Sequence, residues 1–389
     1  MSRKICVFTG TRAEYGLLEP LISELRNEAG VELQLLVTGM HLSPEFGLTH
    51  QEIDAAGCHQ VEKVEILLSS DSPVGISKAM GLGMISFSEA LQRLEPDLLI
   101  GVGDRFELLA AAAAATVMRI PIAHIHGGET TEGAMDESFR HAITKMSHWH
   151  FASTEIYRNR IIRMGEHPDR VFNTGAPGID NIRRMELMSV TGLEKELPFR
   201  ITDNTLLVTF HPVTLEAQTA GSQFGKLLDA IDQAGDVRVV FTKPNADTGG
   251  RIIISMIDDY VKKNPGKAVS FVSMGQKRYL SALKHAACIV GNSSSGIIEA
   301  PSLKTGTVNI GNRQKGRVRA ESVIDCEPDS DAIASAIKTC LSTEFRSKLG
   351  NITNPYESQG EMTSRKIARV LLSSPPDGPV MKSFYDLKT

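Results

Sequence analysis

The sequence is short of cysteine, aromatic residues and basic charge. Of its 389 residues, 5% are aromatic, and its five cysteines have neither metal-ligand nor redox spacing: Cys6, Cys58, Cys288, Cys326 and Cys340. That pattern argues against a cysteine-bound metal and fits a reducing cytoplasm. The net charge is −4. A chain without basic excess is not expected to bind nucleic acid or an anionic membrane.

Long apolar runs are also missing. The longest covers residues 108–118, is mostly alanine and is interrupted by Thr116. It is too short to span a bilayer and predicts a buried helix. No signal peptide is visible after Met1. We therefore expect a cytoplasmic protein without membrane-spanning segments.

What the sequence does contain is a repeated alternation of short apolar runs and helical patterns. A length of 389 residues and a hydrophobic content of 41% suit two domains. The strand candidates are residues 4–8, 32–37, 98–102, 122–125 and 149–152 in the first half, and 205–210, 237–242, 268–272, 288–290 and 307–310 in the second. This alternation predicts an α/β fold, with parallel sheets covered by helices on both faces.

Glycine and proline accumulate over residues 175–198, where we place the passage between domains. We expect an N-terminal domain over residues 1–175 and a C-terminal domain over residues 176–361. A last helix, residues 362–374, is expected to pack back on the first domain. The proline-containing tail from residue 373 onwards is expected to be loosely held.

The first βα turn, Thr9-Gly10-Thr11-Arg12, has the features of an anion site. Gly10 permits a tight turn, the following helix offers N–H groups, and the Arg12 guanidinium suits phosphate. The turn lacks a dinucleotide fingerprint or Walker loop. A plain turn with a solvated arginine is an equal alternative.

A second turn, Gly103-Asp104-Arg105, follows the strand candidate at 98–102. Asp104 is predicted to cap the helix that begins near Phe106. An acid and a base at the carboxyl end of a strand can also serve catalysis, and both interpretations remain open.

Imidazoles and carboxylates are most crowded in His124-Ile125-His126-Gly127-Gly128-Glu129 and the following Asp136. Close neighbours tune pKa values, as proton transfer requires. His124 and His126 alternate along a strand and point to opposite faces, so we do not expect them to share a metal ion. His124 is interpreted as a core histidine with satisfied hydrogen bonds.

The second half carries a strand-end histidine, His211, and a glycine- and serine-rich turn, Gly291-Asn292-Ser293-Ser294-Ser295-Gly296. Hydroxyls and backbone N–H groups at a helix start form an anion cradle. Glu299, predicted to lie inside that helix, could accept both hydroxyls of a ribose. Arg313 could neutralise phosphate.

Together these residues resemble the UDP-N-acetylglucosamine 2-epimerase family over essentially the whole chain, and its hydrolysing branch most closely. Six ordered motifs carry the resemblance: Gly10-Thr11-Arg12-Ala13-Glu14-Tyr15-Gly16, Gly103-Asp104-Arg105-Phe106-Glu107, His126-Gly127-Gly128-Glu129, Arg140-His141-Ala142-Ile143-Thr144-Lys145, His211-Pro212, and Gly291-Asn292-Ser293-Ser294-Ser295-Gly296 with Glu299.

The resemblance implies two Rossmann-like, doubly wound domains in a GT-B arrangement, with the active site in the cleft between them and neither cofactor nor metal. The residues that it implies for binding the nucleotide sugar are Arg12, Arg105, His211, Ser293, Ser294, Gly296, Glu299 and Arg313. The residues that it implies for catalysis are Asp104, His126, Glu129, Asp136 and His211. Relatives carry a carboxylate in place of His126, so either His126 or Glu129 performs that proton transfer.

The implied activity is hydrolysing 2-epimerisation of UDP-N-acetylglucosamine. Elimination of UDP through 2-acetamidoglucal and hydration would give N-acetylmannosamine for sialic acid synthesis. The alternatives are a UDP- or GDP-linked 2,4-diacetamido-2,4,6-trideoxyhexose on the route to legionaminic acid, a non-hydrolysing epimerase, a GT-B glycosyltransferase and a non-enzymatic sensor. Family members are commonly homodimers or homotetramers, so a homo-oligomer is expected.

Overall fold

The computed structural model describes residues 2–55, 60–68, 70, 72–197, 199–213, 215–216, 219–244, 249–374 and 380–387. Cys58, residue 198 at the end of the predicted passage between domains, and residues 375–379 and 388–389 of the predicted tail lie outside the described residues.

Contacts divide the chain into two compact units. The N-terminal unit comprises Met1–Glu129, Asp136–Asn181 and Tyr356–Thr389, and the C-terminal unit comprises Thr130–Met135 and Ile182–Pro355. The domain boundaries drawn from the sequence, after residues 175 and 361, stay a proposal.

The N-terminal unit alternates strands and helices from its first residues. Its elements are β1 (Arg3–Thr9), α1 (Arg12–Arg26), β2 (Val31–Thr38), α2 (His50–Ala55), β3 (Gln60–Val64), α3 (Pro73–Leu94), β4 (Leu98–Val102), α4 (Phe106–Val117), β5 (Ile122–Ile125), α5 (Asp136–Met146), β6 (Trp149–Ala152), α6 (Glu155–Arg163), β7 (Val171–Asn173) and the start of α7 (Pro177–Arg184), with a closing helix near the C-terminus.

These strands form one seven-stranded sheet in the order β3-β2-β1-β4-β5-β6-β7. Every recorded pairing is parallel, so all carboxyl ends lie at the same edge. The chain moves outward from β1 to β3, then returns to β4 on the other side of β1. In doubly wound sheets, the place where the order reverses is where ligands bind. Here that place lies beyond the ends of β1 and β4.

The C-terminal unit repeats the pattern. Its elements are α8 (Val190–Glu196), β8 (Thr205–Thr209), α9 (Ala220–Gln233), β9 (Arg238–Thr242), α10 (Gly250–Lys263), β10 (Ala268–Phe271), α11 (Gln276–His285), β11 (Cys288–Gly291), α12 (Ser295–Ile298), β12 (Gly306–Ile310), β13 (Val323–Cys326), α13 (Ser330–Leu341) and α14 (Thr343–Lys348).

Its strands form a parallel six-stranded sheet in the order β10-β9-β8-β11-β12-β13, which reverses between β8 and β11. Both sheets thus have the Rossmann strand order, and the predicted α/β class with two doubly wound domains is confirmed. Among the described residues, no helix combines the length and the apolar character needed to cross a bilayer.

The central strands are the ones that the sequence predicts best. All residues of β4, β5, β6 and β8 are buried, and most of them are apolar, as expected for strands covered on both faces. The edge strands β3, β7 and β13 are absent from the sequence prediction. β3 reads Gln-Val-Glu-Lys-Val and β13 Val-Ile-Asp-Cys, and both keep polar side chains because they have one neighbour only.

The C-terminal end of the chain belongs to the N-terminal unit. The closing helix, α15 (Thr363–Ser373), packs Ile367, Ala368 and Leu371 into the cluster that contains Leu18 of α1. The Asp180 carboxylate accepts hydrogen bonds from the first two N–H groups of α15, at 2.9 and 2.7 Å, and so caps the helix.

The prediction of a loosely held tail is wrong for residues 380–387. Lys382 donates to both carboxylate oxygens of Glu166, at 2.9 and 2.8 Å, and Lys145 and His150 also bind this carboxylate. Although burial by itself opposes ionisation, hydrogen bonds from His150, Lys145 and Lys382 lower the pKa of Glu166 to about 2. The Lys145 ammonium also lies over the ring of Phe384, with Nζ 4.9 Å from the ring centroid.

We predict that Lys382→Met lowers the melting temperature of the N-terminal unit by about 3 °C or more, because it removes one partner from a buried carboxylate. Differential scanning calorimetry measures the change. Lys348→Met is the matched control, since Lys348 pairs with Glu344 on the surface, where both side chains are more than half exposed. Equal melting temperatures for the two variants would contradict a structural role of the tail.

Candidate active site

The side-chain carboxylate of Glu14 binds the backbone of the turn after β1. Glu14 accepts hydrogen bonds from the backbone N–H groups of Gly10, at 2.8 Å, and Thr11, at 2.9 Å, while the Thr11 hydroxyl caps α1 in return. Burial raises the pKa of Glu14 to about 7, which Arg105 opposes and Glu107 reinforces. Glu14 therefore occupies the N–H groups of Gly10 and Thr11, and the anion site at the start of α1 stays a prediction. Arg12 pairs with Glu52 at 3.1 Å.

Beyond β4, the two predicted site residues have different partners. Arg105 donates two hydrogen bonds to the buried carboxylate of Glu107, both at 3.1 Å. Arg105, not Asp104, is the N-cap residue of α4, and it makes no side-chain cap bond, so the predicted capping role of Asp104 is wrong. Asp104 instead accepts a hydrogen bond from Arg140. Its side chain is 22% exposed, so the carboxylate stays accessible.

Arg140 joins two elements of the site. Its side chain is 1% exposed and contacts Asp104 after β4 and Glu137, at 3.0 Å, in the first turn of α5. Asp136 begins the same helix, and the i, i+4 spacing places it on the same side of α5 as Arg140. The buried guanidinium thus orients the Asp104 carboxylate with respect to the start of α5.

His124 has the structural role that the sequence predicts. Its Nε2 bonds to the carbonyl oxygen of Gly103 at 2.7 Å, and its Nδ1 bonds to the Thr144 hydroxyl at 3.1 Å. Burial lowers the pKa of His124 to about 3, so the ring is neutral. Because both ring nitrogens of His124 are hydrogen-bonded, this side chain holds the turn that carries Asp104 in place.

His126, two residues on, has a different environment. Its Nδ1 lies 2.5 Å from Oε1 of Glu129, whereas Nε2 is buried and has no hydrogen-bond partner among the described residues. The backbone φ of His126 is 65°, in the left-handed region. A non-glycine residue in this conformation must be held by its surroundings, and such residues cluster at functional sites.

In the C-terminal unit, Asn292 links the ends of β8 and β11, the two strands between which the strand order reverses. Its side-chain amide accepts from the His211 N–H at 2.7 Å and donates to the His211 carbonyl at 2.8 Å, which fixes the turn after β8. Its own carbonyl accepts from Arg313, at 3.1 Å, and from Gln314, at 2.8 Å. Two predicted ligand residues, His211 and Arg313, are thereby brought to one place.

Two glycines of the serine-rich turn are required by packing. Gly291 has φ 138°, and a Cβ atom there would lie 2.0 Å from the carbonyl oxygen of Thr209. A Cβ on Gly296 would lie 2.7 Å from Thr307, because α12 approaches β12 closely. Packing against β12 therefore already requires a glycine at Gly296, which is also a predicted ligand residue.

The helix after this turn is shorter than predicted. α12 runs only over Ser295–Ile298, and Glu299 lies at its junction with a 3-10 turn, Ala300–Leu303, not inside a longer helix. Ser293 and Ser294 precede α12 and are partly exposed. Ser294 is the N-cap residue but makes no side-chain cap bond, so that hydroxyl does not cap the helix.

Sequence reasoning missed several residues that support these groups. They are Arg140, Ser153, Asn292, Gln314 and Tyr279. The Tyr279 phenol lies beside Glu299, and burial raises its pKa. Arg140 and Asn292 lie inside motifs noted in the sequence, and Ser153 directly follows a buried strand. The sequence pattern could therefore have indicated these three residues as parts of the site. Gln314 and Tyr279 carry no such signal.

Within the described residues, no group of three histidine, cysteine, aspartate or glutamate side chains could hold a metal ion. The arrangement instead offers proton-transfer groups at the edge of one Rossmann sheet and hydroxyl, amide and arginine donors at the edge of another. Such a fold and such groups define an enzyme that acts on a nucleotide-linked substrate.

Comparison with known proteins identifies the family. The family model described as UDP-N-acetylglucosamine 2-epimerase matches residues 23–372. The GDP/UDP-N,N'-diacetylbacillosamine 2-epimerase (hydrolyzing) of Campylobacter jejuni is 42% identical over 88% of this chain and 89% of its own length. The polysialic acid biosynthesis protein P7 of Escherichia coli is 37% identical over 99% of this chain and 98% of its own length.

The chain therefore belongs to the UDP-N-acetylglucosamine 2-epimerase family and is a sugar-nucleotide 2-epimerase of its hydrolysing branch, as the sequence motifs predict. Solved structures agree in fold. The UDP-GlcNAc 2-epimerase of Neisseria meningitidis bound to UDP-GlcNAc superimposes with a TM-score of 0.78 at 20% identity, over 95% of this chain and all of that one.

Proposed function

We propose that this enzyme removes the nucleotide from a UDP-linked 2-acetamido sugar and inverts C2 in the same reaction. The observation that carries the proposal is the His126–Glu129 pair, whose Nε2 is buried, has no hydrogen-bond partner among the described residues and can accept a proton. The similarity to hydrolysing epimerases supports the same reaction.

In the first step, the base removes the C2 hydrogen while the C1–O bond to the diphosphate breaks. The electron pair of the C–H bond forms the C1–C2 double bond, and the nucleotide leaves with the electrons of the C–O bond. We assign the base to Nε2 of His126. Glu129 accepts from Nδ1 and stabilises the imidazolium that forms, as the carboxylate does in a Ser-His-Asp triad.

The departing diphosphate needs stabilisation at the same moment. We propose that Arg313, Ser293 and Ser294 of the C-terminal unit provide it, together with His211. Glu299 would accept the ribose hydroxyls, and Arg12 and Arg105 would add positive charge from the N-terminal unit. Because Asn292 bonds to the backbone of His211 and to the guanidinium of Arg313, these two groups would need little reorganisation in the transition state.

In the second step, water adds across the double bond. Its hydroxyl goes to C1 and a proton goes to C2 on the face opposite to the one that lost it. We propose Asp104 and Asp136 for these proton transfers, since Asp104 is accessible and both are linked to Arg140 or its helix. The products are the free C2-inverted sugar and UDP.

Two substrates fit this chemistry. The relatives from Campylobacter jejuni and Legionella pneumophila, 42% and 36% identical, are named for N,N'-diacetylbacillosamine, a 2,4-diacetamido sugar. The UDP-N-acetylglucosamine 2-epimerase of Neisseria meningitidis serogroup B is 32% identical. The higher identities favour the diacetamido-trideoxyhexose, with UDP-N-acetylglucosamine as the second candidate.

Proton NMR of the reaction in heavy water tests the proposal with each sugar nucleotide in turn. We expect a free manno-configured sugar with deuterium at C2, together with free nucleotide, because the hydrogen lost in elimination is replaced from solvent. A nucleotide-linked product would indicate a non-hydrolysing epimerase. Turnover only with an added acceptor would indicate a glycosyltransferase, and binding without turnover a sensor.

Asp104→Asn should lower kcat by about a hundredfold or more, because it removes an acid–base group without changing its size. UDP affinity, measured by calorimetry, should stay within about twofold. Asp169→Asn is the control, since the Asp169 side chain lies in the same unit and is 87% exposed. If kcat of Asp104→Asn equals that of the control, Asp104 takes no part in proton transfer.

Glu299→Ala should weaken UDP binding about tenfold to a hundredfold, because the ribose loses a charged hydrogen-bond acceptor. Glu299→Gln, which keeps one acceptor oxygen, should weaken it less. Glu321→Ala changes an exposed glutamate of the same unit and serves as control. An unchanged dissociation constant for Glu299→Ala would disprove the ribose assignment.

A further inference from the structure

Ser153 lies at the carboxyl end of β6, directly beside the His126–Glu129 pair. Its hydroxyl donates to Oε1 of Glu129 at 2.6 Å, and this oxygen is the one that lies 2.5 Å from Nδ1 of His126. Ser153 is 2% exposed and Glu129 is fully buried. The three side chains therefore form a chain of hydrogen bonds that ends at the buried Nε2 of His126, which has no partner among the described residues.

The backbone around this chain is fixed from several sides. The His126 N–H donates to the carbonyl of Phe151 at 3.0 Å, and Arg160 donates to the carbonyl of Gly128 at 2.5 Å. Gly128 has φ 72°, and a Cβ atom there would lie 2.6 Å from the Tyr157 carbonyl. With the loop held in this way, the direction of the Glu129 carboxylate depends on its side-chain partners.

We propose that Ser153 is a positioning residue for the epimerase reaction: it anchors Glu129 so that His126 carries its proton on Nδ1 and keeps the Nε2 lone pair for the substrate. An ionised carboxylate only accepts hydrogen bonds, so Nδ1 must be the donor to it. Without the serine hydroxyl, the carboxylate loses a hydrogen-bond donor to Oε1 and is held less firmly. The imidazole then shares its proton between the two nitrogens, and the fraction of competent base falls.

The inference rests on the proposed function for its kinetic part, but its structural part can be measured without turnover. Nitrogen-15 NMR of histidine-labelled enzyme distinguishes a protonated from an unprotonated ring nitrogen. A His126→Gln sample identifies the His126 signals among those of the 11 histidines. We expect a protonated Nδ1 and an unprotonated Nε2 in the parent enzyme.

Ser153→Ala should shift both His126 nitrogen signals towards the average of the two tautomers and lower kcat about tenfold, with KM changed by less than about twofold. Ser153→Thr, which keeps the hydroxyl, should restore both. Ser153→Cys has nearly the same volume and a weaker donor, and should give a smaller change in the same direction if Ser153→Ala does not fold.

Ser147→Ala is the matched control. Ser147 is fully buried in the same unit, and its hydroxyl donates to the carbonyl of Ile143 at 2.7 Å, so its loss costs a buried hydrogen bond without touching the pair. Unchanged His126 signals in Ser153→Ala would overturn the proposal, as would a kcat equal to that of Ser147→Ala. Absence of turnover in the parent enzyme, with the NMR shifts as expected, would count against the proposed reaction and not against the hydrogen-bond chain.

Discussion

Parallel pairing of the strands is the constraint on which the rest of this structure depends. It places every strand's carboxyl end at one edge of its sheet, and the reversal of strand order leaves room beyond the two central strands. Because the central strands are buried on both faces, they accept few polar side chains. Polar groups are therefore concentrated at the strand ends, where Asp104, His126 and His211 all lie.

The histidines at these edges differ in whether both ring nitrogens are hydrogen-bonded. Both nitrogens of His124 are used, and burial keeps its pKa low, so it can only hold its turn in place. Among the residues that the structure describes, only Nδ1 of His126 has a hydrogen-bond partner. Glu14 shows the same logic for a carboxylate, since the N–H groups that it occupies are no longer available to a ligand. The residue type in a sequence motif does not show which of its polar atoms already have hydrogen-bond partners.

The two units divide the chemistry between them. The N-terminal unit carries the carboxylates and the imidazole suited to proton transfer, supported by the buried guanidinium of Arg140. The C-terminal unit carries neutral and cationic donors suited to a diphosphate, organised by Asn292.

The sequence by itself determined the α/β class, the central strands and the family, because buried parallel strands are mostly apolar runs and the motifs at their ends are local in sequence. It did not determine the edge strands β3, β7 and β13, the docking of the tail through Lys382, or the failure of Asp104 to cap α4. These features depend on contacts between residues far apart in the chain. Ser153 bonds to Glu129 across 24 positions and Asn292 bonds to His211 across 81, so only the tertiary structure could show which side chains hold Glu129 and His211 in place.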